Sequence, residues 1–409
     1  MHVVIFEGSH WTDLVPFTLT RPIFSLRSGA STLLEKQIRA TQPSRLTLWI
    51  RAEMEAFVRQ YVLPHLNIPV SINTPLDDEP ALIFSGRTLH FARVERPETE
   101  CVVLEEEDKL IRLAYVRAPG LTHEDVMRRT DRWLKIRELP QAMPQSRFPR
   151  HWADLISWNE ESIIADSIHW RQPQPKAERA HLIEPLDIHA EPDARIGVNV
   201  VLDASKGPIL IDSGASIGAN SVIEGPCYIG PGARISPLSL IRPGTSIGAC
   251  CRVGGEVANS IFQSYSNKSH DGFVGDSYIG EWVNIGAGTT TSNLKSTYGL
   301  VKLHLGAREV QSERVLLGSA IGDHAKTATN TQLVAGSYVG AASLVAMTAR
   351  MPHVVPSFSF WTDESREQTP VDKAIEIGTR MQSRRSRSMS DADRRVLEYA
   401  ARMSAEHGY

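Results

Sequence analysis

The sequence predicts an α/β segment, then a left-handed parallel β-helix, then a short helical tail. Three observations predict this order. Short apolar runs alternate with a helical stretch before about residue 175, an apolar residue recurs at every sixth position in the second half, and two amphipathic stretches follow Pro356. A chain of 409 residues can bury more than one core.

The six-residue period is the strongest signal. Ile211, Ile217, Ile223, Ile229, Ile235, Ile241, Ile247 and Val253 follow one another at intervals of six. Two positions before the last seven stand Ala215, Ser221, Cys227, Ala233, Ser239, Thr245 and Cys251. A helix repeats near 3.6 residues and a strand near 2, so a period of six needs a different object. A triangular coil supplies it: three short strands meet at tight corners, the apolar residue points inward and the small residue lets the corner close. Coils then stack at about 4.8 Å. The phase shifts after Val253, resumes with Phe273, Ile279 and Ile285, breaks across 291–314, and returns with Ile321, Thr327, Leu333, Val339 and Val345. Two loops, near 255–272 and 291–314, are therefore expected to interrupt the prism, and inserted loops on a solenoid gather at binding faces.

Before the repeat, Val3–Phe6, Leu46–Ile50, Ala81–Phe84 and Cys101–Leu104 are strand candidates, and Ala30–Ala40 is a helix candidate. Leu110–Val116 is expected to return on Cys101–Leu104 as a hairpin. Thr122 and Asp125 have the spacing of a capping box that opens a helix to about Arg137. The Pro-rich run Gln172–Lys176 marks a linker. The expected domains are 1–175, 180–355 and 356–409. In the tail, Val371, Ala374, Ile375, Gly378 and Met381 have helical spacing, and Ser390 and Asp393 cap a second helix with Val396, Leu397, Ala400 and Met403 on one face. Between them lies Arg384-Arg385-Ser386-Arg387, either a solvated turn or an anion or coenzyme contact.

A net charge of −3 argues neither for nor against a charged partner, and no basic field of the kind nucleic-acid binders carry appears in the body of the chain. The opening residues lack the pattern of a secretory signal, and no apolar run reaches a membrane span. Cys101, Cys227, Cys250 and Cys251 form no CxxC pair, which reads as reduced core thiols of a cytoplasmic protein.

The segment Gly254-Gly255-Glu256 through Asn267-Lys268-Ser269-His270-Asp271-Gly272-Phe273, then Gly280-Glu281-Trp282-Val283-Asn284-Ile285-Gly286-Ala287-Gly288-Thr289, resembles a known family. It is similar to the acetyltransferase half of the bifunctional N-acetylglucosamine-1-phosphate uridyltransferase / glucosamine-1-phosphate N-acetyltransferase family. Leu14-Val-Pro-Phe-Thr-Leu-Thr-Arg-Pro22 with Leu26-Arg27-x-Gly29 resembles that family's divergent sugar nucleotidyltransferase branch. The resemblance implies a nucleotidyltransferase-like (Rossmann-like) fold for the α/β domain and sugar-nucleotide biosynthesis as the setting.

For the second half the resemblance implies acetyl-CoA-dependent N-acetylation of glucosamine 1-phosphate, with His270 as general base. A neutral imidazole suits the task, because it can take the proton as an amine attacks a thioester. By the same resemblance Arg242, Asn284 and Asn293 hold the sugar phosphate. Asn284 and Asn293 equally suit plain solenoid corners. The family's lysine on the coil after that arginine is missing from Glu256-Val-Ala-Asn259, leaving Lys268 as the substitute. Phe273 and Leu294 stand where the family has tyrosines. Ala287, Thr329 and Ala346 match positions that line the acetyl-CoA groove, and a groove shared between neighbours implies a closed oligomer, a homotrimer.

For the first half the resemblance implies nucleotidyl transfer from a nucleoside triphosphate, giving UDP-N-acetylglucosamine, with Mg²⁺ aligning the phosphates. Here the phosphate loop reads Phe6-Glu7-Gly8-Ser9-His10, Ile23 replaces a lysine, and Ser85-Gly86-Arg87 replaces a metal-binding Asp. Arg21, Arg27 and Lys36 remain as cations to face a nucleotide, and Asn159 and Asp166 as metal candidates beside a structural role. Three alternatives stay open. They are an acyltransferase on another amino sugar or sugar nucleotide with an inactive first domain, a non-catalytic β-helix scaffold, and a zinc hydratase. For the hydratase, His270, His304, His324 and His353 are too widely spaced.

Overall fold

The computed structural model describes residues 1–105, 109–143, 146–170, 177 and 179–409. The expected linker 172–176 lies outside the described residues. Two compact units are present. One comprises Met1–Leu14, Arg21–Leu26 and Ser31–Arg150; the other comprises Val15–Thr20, Arg27–Ala30 and His151–Tyr409.

The first unit is built on one six-stranded sheet. Its strands are β1 (His2–Phe6), β2 (Arg45–Trp49), β3 (Val70–Ile72), β4 (Ala81–Ser85), β5 (Cys101–Leu104) and β6 (Ile111–Val116), in the order β3-β2-β1-β4-β6-β5. β1 pairs in parallel with β2 on one side and β4 on the other. The expected hairpin is present: β5 and β6 pair antiparallel. Val4, Ile83, Val102 and Ala114 are fully buried, as continuous apolar runs in a sheet covered on both faces require. The helix Leu33–Thr41 opens on a capping box, in which the Thr32 hydroxyl accepts from the Glu35 N–H and the Glu35 carboxylate accepts from the Thr32 N–H. The helix expected to run from Thr122 to Arg137 is broken. Its first piece, His123–Arg128, has the expected cap, but Arg129 turns to φ 50° and a second helix starts at Asp131. Spacing alone does not register a single left-handed residue.

In the second unit the hexapeptides form the β-helix. Its strands stack in parallel as three faces, one running from Ile188–Ala190 to Val354–Val355 through nine strands. Ile211 pairs with Ile229 and Ile229 with Ile247, three hexapeptides apart each time. All eight residues of the first in-phase run lie in one buried cluster.

The region 255–272 is not an inserted loop. Glu256–Ala258, Ile261–Phe262 and Asn267–Lys268 are rungs of the prism, and Ile247 pairs with Phe262 after only 15 residues. The phase shift comes from a shortened corner at Gly254-Gly255, not from added chain. A further short step, from Val274 to Ile279, makes the fully buried Val274 the inward residue in place of Phe273. The interruption at 291–314 is real and carries the hairpin Val301–Leu305 with Arg308–Arg314. The repeat also runs one rung past Pro356, where Ser359–Thr362 pairs in parallel with Leu344–Ala346. The tail helices span Val371–Ser383 and Asp391–His407, the second opened by the Ser390–Asp393 capping box.

The motif that carried the resemblance in the first 30 residues is largely built into the second unit. The Arg27 N–H donates to the Tyr278 hydroxyl, which in turn donates to the Arg27 carbonyl, at 2.9 and 3.0 Å. The Thr20 hydroxyl donates to Asp323 at 2.6 Å, and the Phe17 ring lies 4.4 Å from the Tyr278 ring, centroid to centroid. Asn159 and Asp166 accept the N–H groups of Gly29 and Ala30 at 2.6 and 2.8 Å. Both are nearly solvent-free, and the Asn159 amide also donates to Gly244 O. They are structural brackets, which corrects their candidacy as metal ligands.

Candidate active site

His270 stands on a corner of the β-helix between Asn267–Lys268 and Phe273–Gly275. Its ring is exposed, and no described residue hydrogen-bonds it. The turn beneath it is held on two sides. Toward the preceding coil, Ser236 Oγ donates to Ser269 O at 3.0 Å, and Gly254 N donates to Lys268 O at 2.7 Å. Toward the following coil, Gly288 N donates to Asp271 O at 2.9 Å.

Lys268 does not face a sugar phosphate. It pairs with Val253, an inward residue, so its side chain enters the prism at a position otherwise apolar. It is 1% exposed, and its ammonium donates to Gly254 O at 2.6 Å and His270 O at 2.9 Å. Gly255 leaves room for this tether, because a Cβ there would sit 3.0 Å from Lys268 Nζ and 2.9 Å from Gly272 O. Burial pulls the Lys268 pKa down to about 8, with Asp271 opposing it. The expected phosphate contact is therefore corrected: the charge is spent holding the His270 carbonyl.

The other candidates fall into two groups. Asn330 N donates to Ala287 O, and Gly288 N donates to Asp271 O, so His270, Ala287 and Thr329 follow one edge of the prism on successive coils. Ala346 lies one rung further, where Ala328 N donates to the adjacent Val345 O. Thr329 and Ala346 are exposed, as a groove for a pantetheine arm requires. On the face that begins at the His270 corner, Glu256 pairs with Phe273. Glu256 also takes the half-exposed Arg242 through Nε at 2.8 Å, a contact that water screens and a phosphate can displace. At the far end of that face the Asn293 amide donates to Asp276 at 2.6 Å, and Asn259 donates to the same carboxylate at 2.7 Å. Asn284 accepts from the Asn267 amide at 3.0 Å, on the face before the His270 corner. Sequence reasoning missed Asp276, Asn259 and Glu256. Their signal was present as polar residues on strand faces, but the shortened corner hid which face they share.

In the first unit a cleft opens at the carboxyl ends of β1 and β4, lined by Gly8, Ser9, His10, Ser85 and Arg87 among others. Arg21, Arg27 and Lys36 do not line it. They are 5, 8 and 1% exposed, and Arg27 belongs to the second unit, its guanidinium stacked 5.4 Å from the Tyr228 ring. Burial removes them from reach of an incoming phosphate, against expectation. No cluster of three or more potential metal ligands occurs among the described residues.

Residues 3–170 match the model of a family described as sugar nucleotidyl transferase. Bifunctional protein GlmU of Synechococcus elongatus is 27% identical over 239 residues, which is 52% of this chain and 49% of that protein. The Jannaschia protein of the same name is 30% identical over 248 residues, 60% of this chain and 47% of that one. A bifunctional sugar-1-phosphate nucleotidylyltransferase/acetyltransferase from Sulfurisphaera tokodaii is 38% identical over 138 residues, 33% of this chain and 34% of that one. Among solved structures, a UDP-N-acetylglucosamine acyltransferase from Francisella novicida covers 56% of this chain and 90% of its own, at 16% identity and a TM-score of 0.32. The chain spans about half the length of the curated GlmU relatives it matches. The chain is thus similar over its first 170 residues to sugar nucleotidyl transferases, and over about half its length to bifunctional GlmU proteins.

Proposed function

We propose that the protein is a transferase of sugar-nucleotide biosynthesis whose β-helix transfers an acetyl group from acetyl-CoA to the amine of an amino sugar phosphate, glucosamine 1-phosphate in the first instance. One observation carries the reading. His270 offers an unpartnered ring on a turn tied to both neighbouring coils, at the head of an edge lined by Ala287 and Thr329. The amine attacks the thioester carbonyl, a C–N bond forms as the C–S bond breaks, His270 Nε2 or Nδ1 takes the amine proton, and coenzyme A leaves as the thiol after receiving a proton. Arg242 would leave Glu256 for the sugar phosphate, with Asn284 and Asn293 toward the sugar hydroxyls. An acetyl-CoA groove along that edge, shared between neighbouring chains, would make the assembly a homotrimer. No helix among the described residues is long and apolar enough to cross a membrane, and we place the protein in the cytoplasm. The first unit would supply nucleotidyl transfer to the acetylated sugar 1-phosphate.

Phe273, Leu294 and the inward turn of Lys268 favour a second reading, in which the acceptor is another amino sugar or a nucleotide-linked one. The test is thiol release from acetyl-CoA with glucosamine 1-phosphate, comparing native protein with His270→Ala. A fall of about 10²-fold or more in the variant supports the base assignment. Native protein that is silent with glucosamine 1-phosphate but active with a nucleotide-linked amino sugar selects the second reading. Silence with every amino sugar refutes both.

A further inference from the structure

The chain leaves β1 toward β2 on one side and returns to β4 on the other, so the carboxyl ends of β1 and β4 flank the point where strand order reverses. Open α/β sheets bind ligands at that crevice. A partly open cleft lies there, and its charged lining among the described residues consists of Arg87, Lys109, Arg129 and Arg137, beside His10. No Asp or Glu lines it among the described residues.

Two of these cations are engaged in holding the cleft together. Arg87 donates to His10 O and to Pro149 O, and Arg137 Nε donates to Lys109 O at 2.9 Å. For the side chains of Lys109 and Arg129 no hydrogen bond or ion pair is seen among the described residues. Both sit on left-handed backbone, at φ 52° and 50°. Three carboxylates close by in sequence are already claimed. Glu7 is paired with Arg51 at 3.1 Å, Asp13 with Arg87 at 3.4 Å, and Glu105 with Arg112 at 3.4 Å and Arg150 at 3.0 Å.

A Mg²⁺ ion binds nucleotide phosphates through one or two protein carboxylates and dehydrates reluctantly. Among the described residues this cleft offers it none and presents positive charge. A polyphosphate needs the opposite, and guanidinium and ammonium groups supply it directly. We propose that the cleft takes the phosphates of a nucleoside triphosphate without a divalent cation, Lys109 and Arg129 supplying the charge that a metal would carry. This rests on reading the first unit as a nucleotide site.

The experiment is calorimetric titration of the full-length protein with UTP, and with inorganic tripolyphosphate as a base-free probe, in EDTA and in excess Mg²⁺. Lys109→Asn and Arg129→Asn are titrated in parallel, Asn being tolerated in left-handed backbone so that the turns persist. The expected result is an affinity in EDTA within about threefold of that in Mg²⁺, and a loss of about tenfold or more in either variant. Binding that requires Mg²⁺ would overturn the proposal and leave the nucleotide reading intact, pointing to the acidic run Glu106-Glu107-Asp108 as the ligand source. Metal-free binding that neither variant weakens would also overturn it. No binding of either probe in either buffer would overturn both the proposal and the nucleotide reading.

Discussion

Replacing Lys268 with methionine should leave the β-helix folded and disable the site. Methionine nearly matches the length of the lysine stem and suits an interior position stacked on Val253. Burial holds the ammonium near pKa 8 against its ordinary 10.5, so the charged form is disfavoured by about 3 kcal/mol. Its two hydrogen bonds, to Gly254 O and His270 O, each return about 1.5–3 kcal/mol. The terms oppose each other, so Lys268→Met should shift stability by no more than about 3 kcal/mol. The turn beneath His270 loses its inward tether, however, and a displacement of about 1 Å at a reacting group costs on the order of 100-fold. The assay is steady-state thiol release, with kcat and KM separated. A large fall in kcat with only a small change in melting temperature is expected. Unchanged kcat with a raised KM for the sugar phosphate would refute the tether and restore a direct phosphate contact. Unchanged kinetics would refute both. The same residue gives a pH signature. Its folded pKa lies below the unfolded one, so between about pH 8 and 10.5 the unfolded chain binds more protons and stability rises with pH. The stability advantage of native protein over Lys268→Met should therefore grow from about pH 7 to about pH 9.5, and a flat difference would contradict the burial.

Gly272→Ala should cost at least about 2 kcal/mol in urea unfolding, because its φ is 119° and the added Cβ would sit 2.1 Å from Thr289 O; a neutral result would mean the corner relaxes freely. Tyr278→Phe should lose about 1–3 kcal/mol by stranding the Arg27 N–H and O while leaving its own ring buried, as the urea midpoint will show. Of the four thiols, Cys250 should react first with an aromatic disulfide at mildly alkaline pH, since it alone is partly exposed. Cys227 and Cys251 should wait for unfolding, because burial raises both thiols, Cys251 to about 12; early release of more than one equivalent would refute this.

The β-helix was legible because its rule is local. Each residue from Ile211 to Val253 declares its inward direction through its neighbours six positions away, and all eight are buried. The rule failed where chain was removed at Gly254-Gly255. A six-residue count carried back from Ile279 lands on Phe273, but the step before Ile279 is one residue short and the interior holds Val274. It also cannot anticipate Lys268, because a charged residue in an inward slot looks like a surface residue until its two carbonyl partners are seen. In the first unit the strands were readable from apolar runs, but the cations were not. Arg21, Arg27 and Lys36 were singled out by position in a motif, whereas Lys109 and Arg129 reach the cleft through single left-handed residues that no period encodes.

The chain enters the second unit at Val15, leaves it at Arg21, returns at Arg27, leaves at Ser31 and enters for good at His151. A gene cut at the Pro-rich run would thus produce two fragments that are each incomplete. The downstream one would expose the Tyr278 ring and hydroxyl that Phe17 and Arg27 cover, and the upstream one would carry two short segments with nothing to fold against. Recombination that trades whole catalytic cassettes at a linker is closed to such a chain. Its two units must be inherited and translated together, and either one has to be probed by point substitution rather than by truncation.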